Sequence, residues 1–156
     1  MYRFVEIITT NKRYGGINMK KVILNKCYGG FDVSKEAYML YAKKKGLTLY
    51  LYESEFINKK FIYKKINNDD SIFRHYFTKD MGDNIEINNE DYEKYCLYLR
   101  DEHREDPILI EVIEELGEKA NGRFGNLKIV EIPDDLDYVI DEYDGIETLH
   151  QRVQEW

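Results

Sequence analysis

The sequence contains few cysteines, few histidines and no long apolar run. Its two cysteines, Cys27 and Cys96, lie far apart among the 156 residues, which fits neither a disulfide framework nor a metal-ligand spacing. The three histidines form no HExxH or comparable motif, so no metal centre is expected. No apolar run approaches the roughly 20 residues that span a bilayer, and residues 1–10 lack a signal-peptide core. We therefore predict an unexported protein with reduced thiols and without metal, cofactor or membrane span.

The length and the remaining composition favour one packed domain. A chain of 156 residues is typical of a single domain, and 43% hydrophobic and 14% aromatic residues suffice for a core. Met19 stands before Lys20 and an apolar segment, a pattern that suits a translation start. We expect a domain over residues 19–156, with residues 1–18 as either an added N-terminal arm or hairpin, or an ordinary edge strand.

Four segments of this domain show the periodicity or capping residues of helices, and seven show the patterns of strands. Because the strands cluster between the helices rather than alternating with them, we predict an α+β fold with a mostly antiparallel sheet and about three to four helices. The predicted helices run from Ser34 to Gly46, from Asn89 to Leu99, from Asp106 to Gly117 and over residues 146–156. The predicted strands are Val22–Cys27, Leu47–Tyr52, Phe61–Ile66, Ile72–Phe77, Asn84–Asn88, Leu127–Ile132 and Tyr138–Tyr143.

Charge is distributed unevenly along the chain. Residues 1–66 contain 14 Lys and Arg against 5 Asp and Glu, whereas residues 67–156 contain 9 against 25. The two halves are expected either to complement each other, within or between subunits, or to leave a basic face for a phosphate-bearing ligand. Extended nucleic acid is a poor candidate partner, because the net charge of -7 lacks the basic footprint of a duplex-binding protein.

A glycine turn between the first strand and the first helix is a candidate binding site. It consists of Tyr28, Gly29, Gly30 and Phe31. Exposed backbone N–H groups and the helix N-terminus can receive a phosphate or carboxylate at such a turn, and the two aromatic rings can stack on a base. The spacing matches neither the Rossmann fingerprint nor the P-loop, so a plain tight turn with buried rings is the alternative.

Side chains from later in the chain are candidates for the same ligand. Asn121 can hydrogen-bond a base or ribose, and Arg123 can clamp a phosphate. Arg100 and Arg104 would share a helix face and grip a phosphate if the second helix continued that far. The alternatives are a helix end at Asn121 and Arg123 and salt bridges at the two other arginines.

Eight acidic residues between Glu131 and Glu147 follow one another without an intervening Lys or Arg. One hypothesis for this run is a pair of carboxylates that performs acid–base chemistry. The other is a solvated strand edge that faces the basic half. Neither an EF-hand loop nor a nucleophile elbow is present in the sequence.

Several stretches resemble a group of small tailed-phage proteins. The likeness covers residues 19–33 and 104–156, whereas residues 47–90 are unmatched and residues 1–18 are extra. The resemblance implies a phage origin and a place in the host bacterial cytoplasm, and it transfers no catalytic residue. The stretches are Val22–Phe31, Asp106–Gly117, Ala120–Arg123, Leu127–Asp135 and Asp141–Glu147.

Accessory phage proteins commonly act on host machinery, and one broad class sequesters nucleotide-derived signals made by bacterial immune systems. By this analogy we predict a non-catalytic, homo-oligomeric anti-defence protein that binds such a signal. One alternative is an inhibitor that docks its acidic second half on a host defence protein, and another is a metal-assisted nucleotide phosphodiesterase. The predicted ligand contacts are Tyr28, Gly29, Gly30, Phe31, Arg100, Arg104, Asn121 and Arg123.

Overall fold

A computed structural model describes residues 17–67 and 74–153 of the chain. These residues form eight strands and three α-helices, and the strands pair antiparallel. The predicted α+β class with mostly antiparallel strands is therefore confirmed. The predicted arm, apart from residues 17 and 18, lies outside the described residues, and so do the first two positions of the Ile72–Phe77 strand.

The elements have the following bounds. The helices are α1 (Lys35–Lys45), α2 (Asn89–Tyr95) and α3 (Pro107–Leu116), and short 3-10 turns cover Asp101–His103 and Gly117–Ala120. The strands are β1 (Met19–Asn25), β2 (Tyr50–Ile57), β3 (Lys60–Lys65), β4 (His75–Phe77), β5 (Cys96–Leu97), β6 (Leu127–Pro133), β7 (Tyr138–Tyr143) and β8 (Ile146–Gln151).

The predicted domain is built of two compact units. The first unit contains the described residues up to Tyr41 and those from Leu99 onward, and the second unit is Ala42–Tyr98. In the first unit β1 pairs with β6 from Met19 opposite Pro133 to Asn25 opposite Leu127, and β7 pairs with β8. A core cluster centred on Val22, Leu24 and Ile132 packs against apolar side chains of β6, β7 and β8.

Two predicted helices are confirmed together with their capping residues. The Ser34 hydroxyl accepts the Ala37 N–H at 3.1 Å before α1, and the chain leaves this helix at Gly46 with a φ of +68°. Asp106 caps α3 with Pro107 at its first position, and Gly117 ends it. Local sequence alone is enough to set these boundaries.

The Asp106 cap supports a first prediction about stability. Its carboxylate accepts the N–H groups of Ile108 at 2.9 Å and Leu109 at 3.3 Å, and it also accepts the Tyr41 hydroxyl at 2.6 Å. We expect Asp106→Ala to lower the free energy of unfolding by about 1 to 2 kcal/mol, as measured by urea denaturation. Asp106→Asn keeps a capping oxygen and should cost less, and an equal loss in the two variants would contradict the capping role.

The second unit is a four-stranded sheet with α2 packed on it. Its strand order is β3-β2-β4-β5. Its core cluster centres on Tyr52, Tyr63 and Phe77 and includes partly buried side chains of α2 and Cys96. Tyr52 is fully buried, and its hydroxyl donates to the Gly82 carbonyl at 2.7 Å. Aromatic packing, together with the hydrogen-bonded Tyr52 hydroxyl, therefore stabilises this sheet.

Three predicted elements of the second unit have different bounds. The helix predicted as far as Leu99 ends at Tyr95, because Cys96 enters β5 and pairs with Phe77 of β4. The strand predicted from Leu47 begins at Tyr50. The strand predicted over residues 84–88 is reduced to a single bridge between Ile85 and Tyr63. In each case pairing with a distant strand, rather than local periodicity, sets the boundary.

The helix predicted over residues 146–156 is wrong. Residues 146–151 form β8, which pairs with β7 from Tyr143 opposite Ile146 to Tyr138 opposite Gln151. Asp144 and Gly145, with φ values of +49° and +91°, form the two-residue hairpin turn that fixes this register. The pattern of apolar residues suited a helix, but hairpin pairing overrides it. The predicted anchoring role of Trp156 lies outside the described residues.

Candidate functional site

Three loops of the first unit meet around Gly29. They are residues 26–31, residues 121–126 and the β7–β8 turn at residues 143–146. A side chain on Gly29 would collide with the Phe124 carbonyl, and a Cβ on Gly145 would lie 2.6 Å from the Gly29 nitrogen and 2.8 Å from the Gly30 nitrogen. The Gly29 N–H also donates to the Asp144 carbonyl at 3.3 Å. Glycine is therefore required where these backbones touch.

Each of the three loops exposes an aromatic ring. Tyr28 is 67% exposed, Phe124 is 54% exposed and Tyr143 is 79% exposed. Arg123 lies beside Phe124, with its guanidinium carbon 5.6 Å from the centre of the Phe124 ring. Within residues 17–67 and 74–153, Arg123 makes no ion pair with a carboxylate. We call Tyr28, Arg123, Phe124 and Tyr143 the aromatic loop surface.

The side chain of Asn25, at the end of β1, bonds to all three loops. It is fully buried, and its amide nitrogen donates to the Cys27 carbonyl at 2.9 Å and the Gly145 carbonyl at 2.7 Å. Its oxygen accepts the Asn126 N–H at 2.8 Å. One buried side chain thus holds the aromatic loop surface from below.

A largely buried ion pair supports the same framework. The Arg104 guanidinium lies 2.8 Å from Glu147 Oε2, and Glu147 Oε1 accepts the Asn25 N–H at 2.8 Å. Arg104 also donates to the Ile23 carbonyl at 2.9 Å, and it lies 5.8 Å from the centre of the Phe31 ring. Because its charge is used internally, Arg104 is a structural residue in this arrangement.

The loop at residues 121–126 is shaped by contacts with Asp32. The Asp32 carboxylate accepts the Phe124 N–H at 3.0 Å, and its carbonyl accepts the Gly122 N–H at 2.9 Å. A Cβ on Gly125 would lie 2.5 Å from the Asp32 carbonyl oxygen, and one on Gly122 would collide with the carboxylate. Asp32 therefore fixes the position from which Arg123 and Phe124 reach solvent.

The predicted site residues fall into two groups. Tyr28 and Arg123 remain exposed, and among the described residues the Gly30 N–H has no partner. Others make contacts within the chain: the expectation of a free amide is wrong at Gly29, and the Asn121 side chain accepts the Leu127 N–H at 2.7 Å.

The two arginines predicted to grip one phosphate are paired with carboxylates instead. Arg104 holds Glu147, and the exposed Arg100 lies 2.9 Å from Glu102 Oε1. Residues 101–103 form a 3-10 turn, so the shared helix face expected for the arginines does not exist. The salt-bridge alternative describes both side chains.

The acidic run contributes both ion pairs and exposed charge. Glu147 is buried against Arg104, Asp141 lies 3.1 Å from His150 Nε2, and Asp137 lies 3.1 Å from Arg152. Among residues 17–67 and 74–153, no three His, Cys, Asp or Glu side chains are gathered as a metal site requires. In the same part of the chain, no helix is long and apolar enough to cross a membrane.

Three residues of the site carry sequence signals that the predictions did not use. Phe124 lies between Gly122 and Gly125, and Tyr143 precedes the Asp144–Gly145 turn, so each ring stands at a loop tip. Asn25 is a polar residue at the end of β1, directly after the apolar residues Val22–Leu24. An aromatic residue beside a glycine turn therefore predicts an exposed ring at a loop tip.

Comparison of the chain with protein-family models, with curated proteins and with solved structures gives no match.

Proposed function

We propose that the protein binds a nucleotide-type ligand on the aromatic loop surface and holds it without converting it chemically. The observation that carries this proposal is the exposure of Tyr28, Phe124 and Tyr143 on three contacting loops, beside an arginine with no carboxylate partner among the described residues. Aromatic faces bind bases by stacking, which contributes about 1 to 3 kcal/mol per base. Arg123 supplies the positive charge for a phosphate.

Preorganisation of the loops supports a binding role. Asn25, Asp32 and the Arg104–Glu147 pair fix the three loops without using the exposed rings. A surface held in this way loses little conformational freedom when a ligand binds, which favours tight retention. The resemblance to tailed-phage proteins gives the setting of the proposal, namely sequestration of an immune signal in an infected bacterium. The predicted homo-oligomer stays a prediction.

Binding of a nucleotide can be tested on the full chain with a panel of cyclic mono-, di- and trinucleotides. We expect at least one to bind in isothermal titration calorimetry and to be recovered chemically unchanged after the protein is denatured. Arg123→Gln should weaken binding by about tenfold or more, because a charged hydrogen bond to phosphate is lost. Arg100→Gln is the matched control, since that exposed arginine is paired with Glu102 outside the three loops. Equal affinities of the two variants, or conversion of the ligand, would contradict the proposal.

Docking on a host protein is a second candidate function. Tyr143 is the most exposed of the three rings, and its neighbours Asp141, Glu142 and Asp144 are exposed acids. Tyrosine and arginine are frequent in the energetic centres of protein interfaces, and acidic rims select basic partners. If docking uses this surface, a protein captured from host lysate should be released by salt. Tyr143→Ala should abolish the capture. Phe56→Ala, which removes an exposed ring of the second unit, should leave it unchanged. Equal retention by both variants would exclude the aromatic loop surface as the docking site.

A further inference from the structure

A chain of hydrogen-bonded side chains crosses the second unit from Ser54 to Tyr92. The Ser54 hydroxyl oxygen lies 2.9 Å from His75 Nε2, and His75 Nδ1 lies 3.0 Å from the Tyr92 hydroxyl oxygen. The three residues come from β2, β4 and α2. A hydroxyl, a histidine and a third group that orients the ring form the arrangement that activates a serine nucleophile.

The imidazole of His75 is held in place by aromatic rings. The ring centres of Tyr63 and Tyr92 lie 5.3 Å and 5.7 Å from that of His75, and both contacts are edge-on. Phe77 packs edge-on against Tyr92 at 5.6 Å. These contacts limit rotation of the imidazole, so its two nitrogens keep their separate partners.

The protonation states suit proton transfer from Ser54. Burial lowers the pKa of His75, so the ring is neutral at pH 7 and can accept a proton. Burial raises the pKa of Tyr92, and a hydrogen bond with Cys96 raises it further, so the phenol stays protonated. In the tautomer that carries its proton on Nδ1, His75 donates to the Tyr92 hydroxyl and presents the lone pair of Nε2 to the Ser54 hydroxyl.

An exposed apolar pair lies on the same face of the sheet as Ser54. Phe56 follows Ser54 by two residues in β2, and Phe61 stands opposite Phe56 in β3. Their ring centres are 4.9 Å apart, and the two residues are 63% and 56% exposed. This pair offers a platform for an apolar group whose reactive carbon reaches Ser54.

We propose that Ser54 is a nucleophile for acyl transfer, with His75 as its general base and Tyr92 as a positioning residue, and that it accepts esters with a small apolar acyl group. Ser54 Oγ bonds to the carbonyl carbon while its proton moves to His75 Nε2. The bond from that carbon to the alcohol oxygen then breaks, and the leaving alcohol takes the proton. Water next attacks the acyl-serine, with His75 accepting its proton and returning it to Ser54 Oγ, and the carboxylic acid leaves.

Two reagents test this site on the full chain. Diisopropyl fluorophosphate should modify Ser54, identified by peptide mass spectrometry, while Ser34 in the same sample stays unmodified. The Ser34 hydroxyl is a helix cap without a histidine partner. p-Nitrophenyl butyrate should release a burst of about one equivalent of nitrophenolate, which Ser54→Ala abolishes. Absence of an adduct on Ser54 in the folded chain would overturn the proposal.

The role of Tyr92 needs a readout beyond loss of rate. Tyr92→Phe keeps the ring and removes the hydroxyl, and we expect it to slow modification of Ser54 by at least about tenfold at an unchanged circular dichroism spectrum.

In the natural chain the rate of Ser54 modification should be level between pH 7 and pH 8, because His75 is already neutral there. A rate of Ser54 modification that rises about tenfold per pH unit would indicate that hydroxide from solvent, and not His75, removes the Ser54 proton, and it would overturn the role of His75. This inference is independent of nucleotide binding, because it concerns residues of the other unit.

Discussion

Replacing Glu147 by glutamine is expected to lower the free energy of unfolding by about 3 to 5 kcal/mol, because it leaves a buried guanidinium without its counter-charge. The side chains of Arg104 and Glu147 are only 13% and 8% exposed. Glutamine has nearly the shape of glutamate, so the loss measures charge rather than packing. The quantity to measure is the urea midpoint, with the slope of the transition checked for constancy.

Two further variants separate this effect from ordinary surface electrostatics. Glu102→Gln removes the partner of the exposed Arg100, and a pair of that kind contributes about 0 to 1 kcal/mol. The double variant Arg104→Met, Glu147→Gln removes both charges but keeps an oxygen that accepts the Asn25 N–H, and it should recover much of the loss. If Glu147→Gln cost no more than Glu102→Gln, the buried pair would not support the loop framework.

Gly145→Ala is expected to destabilise the first unit by about 2 to 5 kcal/mol and to weaken binding at the aromatic loop surface. A left-handed backbone costs a residue with a Cβ about 1 to 2 kcal/mol, and forcing atoms into a packed contact adds about 1 to 3 kcal/mol. Both conditions hold here, since φ is +91° and the Cβ would approach the Gly29 and Gly30 nitrogens. Urea denaturation gives the stability, and calorimetric titration of the retained nucleotide gives the affinity.

Gly46→Ala is the matched control for backbone strain. Gly46 has a φ of +68°, but among the described residues a Cβ there would meet nothing within 4 Å. We expect Gly46→Ala to lower the free energy of unfolding only by the backbone contribution of about 1 to 2 kcal/mol and to leave the nucleotide affinity unchanged. Equal losses in the two variants would mean that contact between the loops adds nothing to stability.

The parts of the fold that could be predicted are those with local causes. The boundaries of α1 and α3 follow from Ser34 and Asp106 as caps and from glycine after the last turn. The bounds of α2 and β8 could not be obtained in this way. Cys96 leaves the helix to pair with Phe77, and residues 146–151 pair with β7, so distant partners override the local period.

The candidate site could be predicted only in part, because a local pattern shows a side chain but not its distant partner. Tyr28 and Arg123 stand at the surface, where their own chemistry defines what they can do. For Arg104 and Asn121 the sequence shows the donor or acceptor but not the partner, and the partner decides whether the group is free. Asn25 and Glu147 are joined by a hydrogen bond across 122 positions of sequence, which no local pattern reveals.

The side-chain amide of Asn25, which bonds to Cys27, Asn126 and Gly145, makes the three loops separable from their common support. The exposed rings take no part in these hydrogen bonds of Asn25. Substitutions at the loop tips can therefore alter ligand recognition one loop at a time, while Asn25 keeps the loops in place. Substituting Asn25 itself would release all three loops together. Randomising positions 28, 123, 124 and 143 is therefore a practical route to variants with new ligands.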